Sequence, residues 1–124
     1  MKFVYTLLIT VLLIIISCSK PSQEIENAKK LQHVVLLKFK DQTTKDSIVV
    51  IEKAFANLPN KIKEIKDFEW GTNNSPEGLD KGFTHSFIVT FDSEKGREIY
   101  LPHPDHKAFV EILKPILDDV LVID

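Results

Sequence analysis

The chain has 124 residues, a formal net charge of −2 at neutral pH and one cysteine. Its 16 basic and 18 acidic residues form no basic block, which excludes the electrostatic footprint of nucleic-acid binding. A single cysteine, Cys18, excludes an intramolecular disulfide. The length suits one compact domain with its own hydrophobic core.

The first 17 residues are typical of a secretory leader, with a positive start at Lys2, an apolar run and small residues at the end. The run is too short to span a bilayer. Its ending before Cys18 resembles a bacterial lipoprotein signal, and an uncleaved short anchor is the alternative. We expect a signal peptide at 1–17, a polar tether at 18–31 and a domain at 32–124. The protein would then be lipid-anchored through Cys18 in the bacterial cell envelope.

The domain begins with an alternating strand and an amphipathic helix. From His33 to Lys40, alternate residues share a face, so His33, Val35 and Leu37 point the same way. Asp41 or Thr43 can cap a helix that extends to about Leu58. Its apolar stripe has helical spacing and consists of Ile48, Ile51, Phe55 and Leu58.

The second half of the chain predicts two strands, two short helices and a last strand. The strands extend from Ile65 to Gly71 and from Phe83 to Phe91, with turn residues between them. One helix ends near Tyr100, another extends from Pro104 to about Leu113, and a strand covers Val120 to Ile123. This order predicts an α+β, ferredoxin-like βαββαβ single domain, with one antiparallel sheet and helices on one face.

The segment from Tyr100 to His106, YLPHPDH, contains the side chains best suited to move protons near neutral pH. Pro102 and Pro104 fix φ on either side of His103. A helix ending at Tyr100 and another starting at Pro104 would direct Tyr100 and His106 into one space. The alternative is a tight connector between two helices, without a chemical role.

Two histidines, His33 and His85, lie on the apolar faces of their predicted strands. We therefore expect both under the helices. A mostly apolar cavity with a few polar groups is typical of a small-molecule site. The alternative is that both are core histidines, hydrogen-bonded within the protein and without a role in ligand binding. We expect a ligand-binding set of His33, Val35, Leu37, Phe55, His85, Phe87 and His103, beside the pair Tyr100 and His106. His103, Asp105 and His106 offer ligands for a metal as a further alternative, but a zinc site needs three or four preorganised ligands, so we expect no metal.

The other face of the predicted sheet carries Val34, Leu36 and Ile88, which would lie bare in a monomer. Exposed apolar patches of this kind usually mark an interface. We therefore expect a homodimer in which two sheets pack face to face.

Five stretches of the chain resemble the stress-responsive A/B barrel family, also called Dabb proteins. They are His33–Asp41, Phe68–Gly71, Gly82–His85, Tyr100–His106 and Leu121–Asp124. The resemblance implies a ferredoxin-like fold that dimerises into an α/β barrel.

One plant member of that family is a polyketide cyclase that closes a linear chain by aldol condensation. Its catalytic tyrosine and histidine correspond to Tyr100 and His106, and its pocket histidines to His33, His85 and His103. It has a tyrosine in place of Phe55 and a tryptophan in place of Leu117. These departures imply a different ligand.

Two functions from different classes remain open. The first is a non-catalytic, lipid-anchored dimer, related to stress, that binds a small apolar ligand. The second is a cofactor-free, polyketide-cyclase-like enzyme acting on a carbonyl substrate. In that enzyme His106 would move a proton and Tyr100 would stabilise the developing oxyanion. Neither function requires a cofactor.

Overall fold

The computed structural model describes residues 29–124. The predicted signal peptide at 1–17, Cys18 and most of the tether lie outside the described residues. Within them the elements are β1 Leu31–Phe39, α1 Lys45–Ala56, β2 Asp67–Thr72, β3 His85–Phe91, α2 Glu94–Tyr100, α3 Pro104–Leu113 and β4 Leu117–Ile123. Single 3-10 turns at Leu58–Asn60 and Lys114–Ile116 follow α1 and α3.

The four strands form one antiparallel sheet in the order β2-β3-β1-β4. This confirms the predicted ferredoxin-like βαββαβ arrangement. The break between α2 and α3 also lies where it was predicted. It is stabilised by Pro104 at the start of α3 and by the ring of His103, whose Nδ1 accepts from the backbone N–H of Asp105 at 3.2 Å.

Several element boundaries differ from the prediction. Thr44 caps α1, since its hydroxyl accepts from the backbone N–H of Ser47 at 3.2 Å. The helix ends at Ala56, two residues before the predicted end at Leu58, and Leu58–Asn60 form a 3-10 turn. β4 begins three residues earlier than predicted, because pairing with β1 extends as far as Leu117.

The hydrophobic core lies between the helices and one face of the sheet. The ring of Phe55 from α1 stacks on Phe87 from β3 at a centroid distance of 4.4 Å. Four residues expected to line a ligand cavity, Val35, Leu37, Phe55 and Phe87, are at most 5% exposed. These side chains pack together as part of the hydrophobic core, and their role in binding a ligand stays a prediction.

The opposite face of the sheet carries no helix among the described residues. Val34 pairs with Ile88 on one side and Ile123 on the other, and Leu36 pairs with Leu121. Leu121 is 42% exposed and Ile123 56% exposed. A continuous apolar strip, here called the open face, therefore crosses β3, β1 and β4. Among residues 29–124, none of the helices could span a bilayer.

Candidate active site

Tyr100 ends α2 and lies at the centre of the site. Its side chain is fully buried, and among the described residues its hydroxyl has no hydrogen-bond partner. Burial raises the pKa of the phenol, so the hydroxyl keeps its proton at neutral pH. A buried polar group without a partner is rare and points to a missing one.

His106, in the first turn of α3, packs against Tyr100 with 4.3 Å between the ring centroids. Its Nδ1 donates to the backbone carbonyl of Leu101 at 2.9 Å. Because a carbonyl only accepts, the neutral ring has its proton on Nδ1 and a lone pair on Nε2. Desolvation lowers the pKa of His106 below its ordinary 6.5. The imidazole is therefore an unprotonated base near neutral pH.

His33 approaches the same tyrosine from the sheet. The side chain of His33 is 7% exposed, and its ring lies 5.9 Å from that of Tyr100, edge to face. Its Nδ1 donates to Oδ1 of Asp124 at 2.5 Å, and the other carboxylate oxygen accepts from Arg97 at 3.0 Å. In a neutral His33 ring the bond to Asp124 places the proton on Nδ1 and leaves Nε2 as an acceptor. The site thus contains two imidazoles and one phenol.

The partners of His33 were missed from the sequence, although one signal could have found Asp124. β1 and β4 are antiparallel, and Val34 pairs with Ile123. The next residue of β4 therefore lies opposite His33. Strand periodicity alone does not give this register, so the sequence did not reveal the pair.

His85 does not join the cluster around Tyr100. In the β1–β3 register Leu37 pairs with His85 and His33 pairs with Val89, so the histidines lie four residues apart along the sheet, about 13 Å. His85 instead bonds Oε1 of Glu52 through Nε2 at 2.9 Å. Its Nδ1 bonds the hydroxyl of Thr84 at 2.8 Å. This corrects the expectation of a single cavity bordered by all four polar side chains.

His103 has a mainly structural position. Its Nδ1 accepts the N–H of Asp105 and so caps α3, and the side chain is 27% exposed. Like His33, it lies close enough to His106 for a positive charge on its ring to lower the pKa of His106. His103 therefore borders the cluster rather than forming part of it. Among residues 29–124 no three histidine, cysteine or acidic side chains are arranged to hold a metal ion.

A ferredoxin-like sheet with a Tyr–His pair at the α2–α3 junction is the arrangement of an A/B barrel domain. Residues 31–124 match the family described as the stress responsive A/B barrel domain, Dabb, and the chain belongs to that family. The match begins at the first residue of β1, one residue before the predicted boundary.

Two curated plant proteins are similar to this chain. The stress-response A/B barrel domain-containing protein HS1 of Arabidopsis thaliana is 43% identical over 100 residues, covering 80% of this chain and 92% of that protein. Olivetolic acid cyclase of Cannabis sativa is 32% identical over 94 residues, covering 76% of this chain and 93% of the cyclase.

Two solved structures share the fold. Hydroxynitrile lyase from Passiflora edulis superposes with a TM-score of 0.73 at 28% identity, covering 77% of this chain and 91% of the lyase. A protein of unknown function from Thermobifida fusca, described as dimeric and ferredoxin-like, has a TM-score of 0.64 at 29% identity. That match covers 76% of this chain and 87% of the other.

The expectation of a lipid-anchored protein of the bacterial cell envelope is wrong. It is overturned by the three curated relatives, all of which are plant proteins. They support a function at the level of the Dabb family and give no support to a lipid anchor. The predicted leader had suggested that location, and it lies outside the described residues.

Proposed function

We propose that Tyr100 and His106 form a cofactor-free acid–base site that acts on a small carbonyl compound, with His33 as an accessory acceptor. The observation that carries the proposal is the buried hydroxyl of Tyr100, which has no partner among the described residues and belongs to a ring that packs against the imidazole of His106. A substrate oxygen would supply the partner that this hydroxyl lacks.

The two groups have complementary protonation states. The phenol keeps its proton and can donate to an oxygen that becomes negative, while Nε2 of His106 can accept a proton from the substrate. This is the combination needed to remove a proton next to a carbonyl and to stabilise the resulting enolate. Two similar proteins are named as enzymes, a cyclase and a lyase, which supports a catalytic role.

Access to the site is expected beside His106, because Tyr100 itself is fully buried whereas His106 and His103 are only partly so. The connector at Leu101–His103 would have to move for a ligand to reach the hydroxyl. The packed aromatic core around Phe55 leaves little room beneath α1, so we expect a small substrate that enters from the α2–α3 junction.

We also propose that the protein is a homodimer whose two open faces pack together. The exposed residues Leu121 and Ile123 continue the apolar strip of β1 and β3, and burying them would stabilise the assembly. The Thermobifida fusca protein of the same fold is described as dimeric, which supports this arrangement.

Deuterium exchange tests the acid–base proposal directly. Acetophenone and a medium-chain methyl ketone are incubated with the protein in D2O, and loss of the protons next to the carbonyl is followed by NMR. We expect exchange faster than in buffer, and a loss of about a hundredfold or more in Tyr100→Phe and His106→Gln, as is usual for general acid–base groups. Glu111→Gln, at an exposed position on α3, is the matched control. Exchange that survives in both site variants would contradict the proposal.

A further inference from the structure

We infer that Arg97 is a positioning residue of the site: by clamping one oxygen of Asp124, it fixes the other oxygen on Nδ1 of His33 and leaves Nε2 of His33 as an acceptor. The role of His33 in chemistry rests on the proposed function above. The effect of Arg97 on the tautomer of His33 can be measured without any substrate.

The carboxylate of Asp124 is held from two sides. Oδ2 accepts from the guanidinium of Arg97 at 3.0 Å, and Oδ1 accepts from His33 at 2.5 Å. The Arg97 side chain is 23% exposed and that of Asp124 is 31% exposed, whereas His33 is only 7% exposed. The chain of contacts thus runs from the rim of the domain to a buried imidazole.

Arginine suits this task because its guanidinium is always charged and rigid, so it holds one oxygen of the carboxylate in place at 3.0 Å. Without it, the carboxylate of Asp124 can rotate about its side-chain bonds. His33 would then lose a fixed acceptor at Nδ1, and its proton could occupy either ring nitrogen.

Arg97 and Tyr100 are three residues apart on α2, so they lie on neighbouring positions of one helix surface. The helix that places the phenol therefore also sets the orientation of the histidine facing it. An ion pair that only linked α2 to β4 would not affect the orientation of His33. A partly exposed ion pair of that kind also contributes little to stability.

The test is the tautomer of His33 in the full chain, read from the 15N shifts of its ring nitrogens well above the ordinary histidine pKa of about 6.5. We expect a single Nδ1–H form in the unmodified protein and a mixture of both tautomers in Arg97→Gln. Arg97→Lys, which keeps a cation, should restore much of the Nδ1–H form. Lys66→Gln is the matched control, because it removes a cation paired with Asp92 and contacts no histidine.

His106 serves as an internal reference, since the carbonyl of Leu101 fixes its tautomer independently of Asp124. An unchanged His106 signal in Arg97→Gln shows that the fold is intact. Should Arg97→Gln fail to fold, a partial shift in Arg97→Lys supports the clamp. A His33 that keeps the pure Nδ1–H form in every folded Arg97 variant overturns the inference.

Ketone exchange separates this inference from the proposed function. If both hold, Arg97→Gln lowers the maximal exchange rate and leaves the half-saturating ketone concentration unchanged. If the unmodified protein does not accelerate exchange, the proposed function fails. The tautomer measurement still decides the role of Arg97 in that case.

Discussion

The rings of Tyr100 and His106 lie 4.3 Å apart between their centroids, yet the hydroxyl of Tyr100 bonds to no group among the described residues. The contact is thus one of ring packing, not of hydrogen bonding. Burying a hydroxyl without a partner costs free energy that the fold must offset elsewhere. A site that binds an oxygen at this position explains why such a group is kept.

Tyr100→Phe should therefore separate stability from activity. Removing an unpaired buried hydroxyl is expected to raise the free energy of unfolding, by about 1 kcal/mol, because the desolvation cost disappears and no bond is lost. Urea denaturation at a fixed protomer concentration measures this. Ketone exchange in the same variant should be lost. A clear loss of stability would show that the hydroxyl does have a partner in solution.

The sequence predicted which faces the site residues would occupy, because alternation along β1 and β3 places His33 and His85 under the helices. It also located Tyr100 and His106, since Pro104 is a strong signal for a helix start. It did not predict that His33 and His85 lie apart, because periodicity gives the face of a strand and not its register.

The polar partners were missed for a related reason. Asp124 lies 91 residues from His33 in the chain, and Glu52 lies 33 residues from His85. No local pattern links such pairs. Such pairs can be identified only once the register of the strands and the position of α1 over the sheet are known. The closed packing of Phe55 on Phe87 is likewise a property of the assembled core, which composition alone does not reveal.

Protonation of His106 should make the folded protein less stable at acidic pH. Its pKa in the folded protein is lowered below 6.5, so between the folded and unfolded pKa values the unfolded chain binds more protons. The free energy of unfolding should then fall as the pH falls below about 6.5. His106→Gln should flatten this part of the profile. Urea denaturation across the pH range, with an NMR titration of His106, checks both points. Titration at or above 6.5 would contradict the prediction.

The open face is expected to hold the dimer together. Leu36→Asp places a charge in the centre of an apolar contact, which should cost several kcal/mol and convert the dimer to monomers at micromolar concentration. Val50→Asp is the matched control, since Val50 is 56% exposed on α1, away from the open face. Sedimentation velocity distinguishes the species. An unmodified protein that sediments as a monomer would refute the arrangement.

Glu52→Ala tests whether His85 is a structural residue rather than part of the site. The substitution removes the carboxylate that pairs with Nε2 of His85, whose side chain is only 7% exposed. Leaving that nitrogen without an acceptor should lower the free energy of unfolding by about 1–3 kcal/mol. Urea denaturation measures the change.

Glu111→Ala gives the comparison for Glu52→Ala, because it makes the same change on the surface of another helix and removes only an exposed pair with Lys114. The loss there should be within about 1 kcal/mol. Ketone exchange should survive in Glu52→Ala, because His85 lies about 13 Å along the sheet from His33. The opposite result would be a folded Glu52→Ala protein that loses exchange while Glu111→Ala keeps it. His85 and Glu52 would then belong to the active site together with Tyr100 and His106.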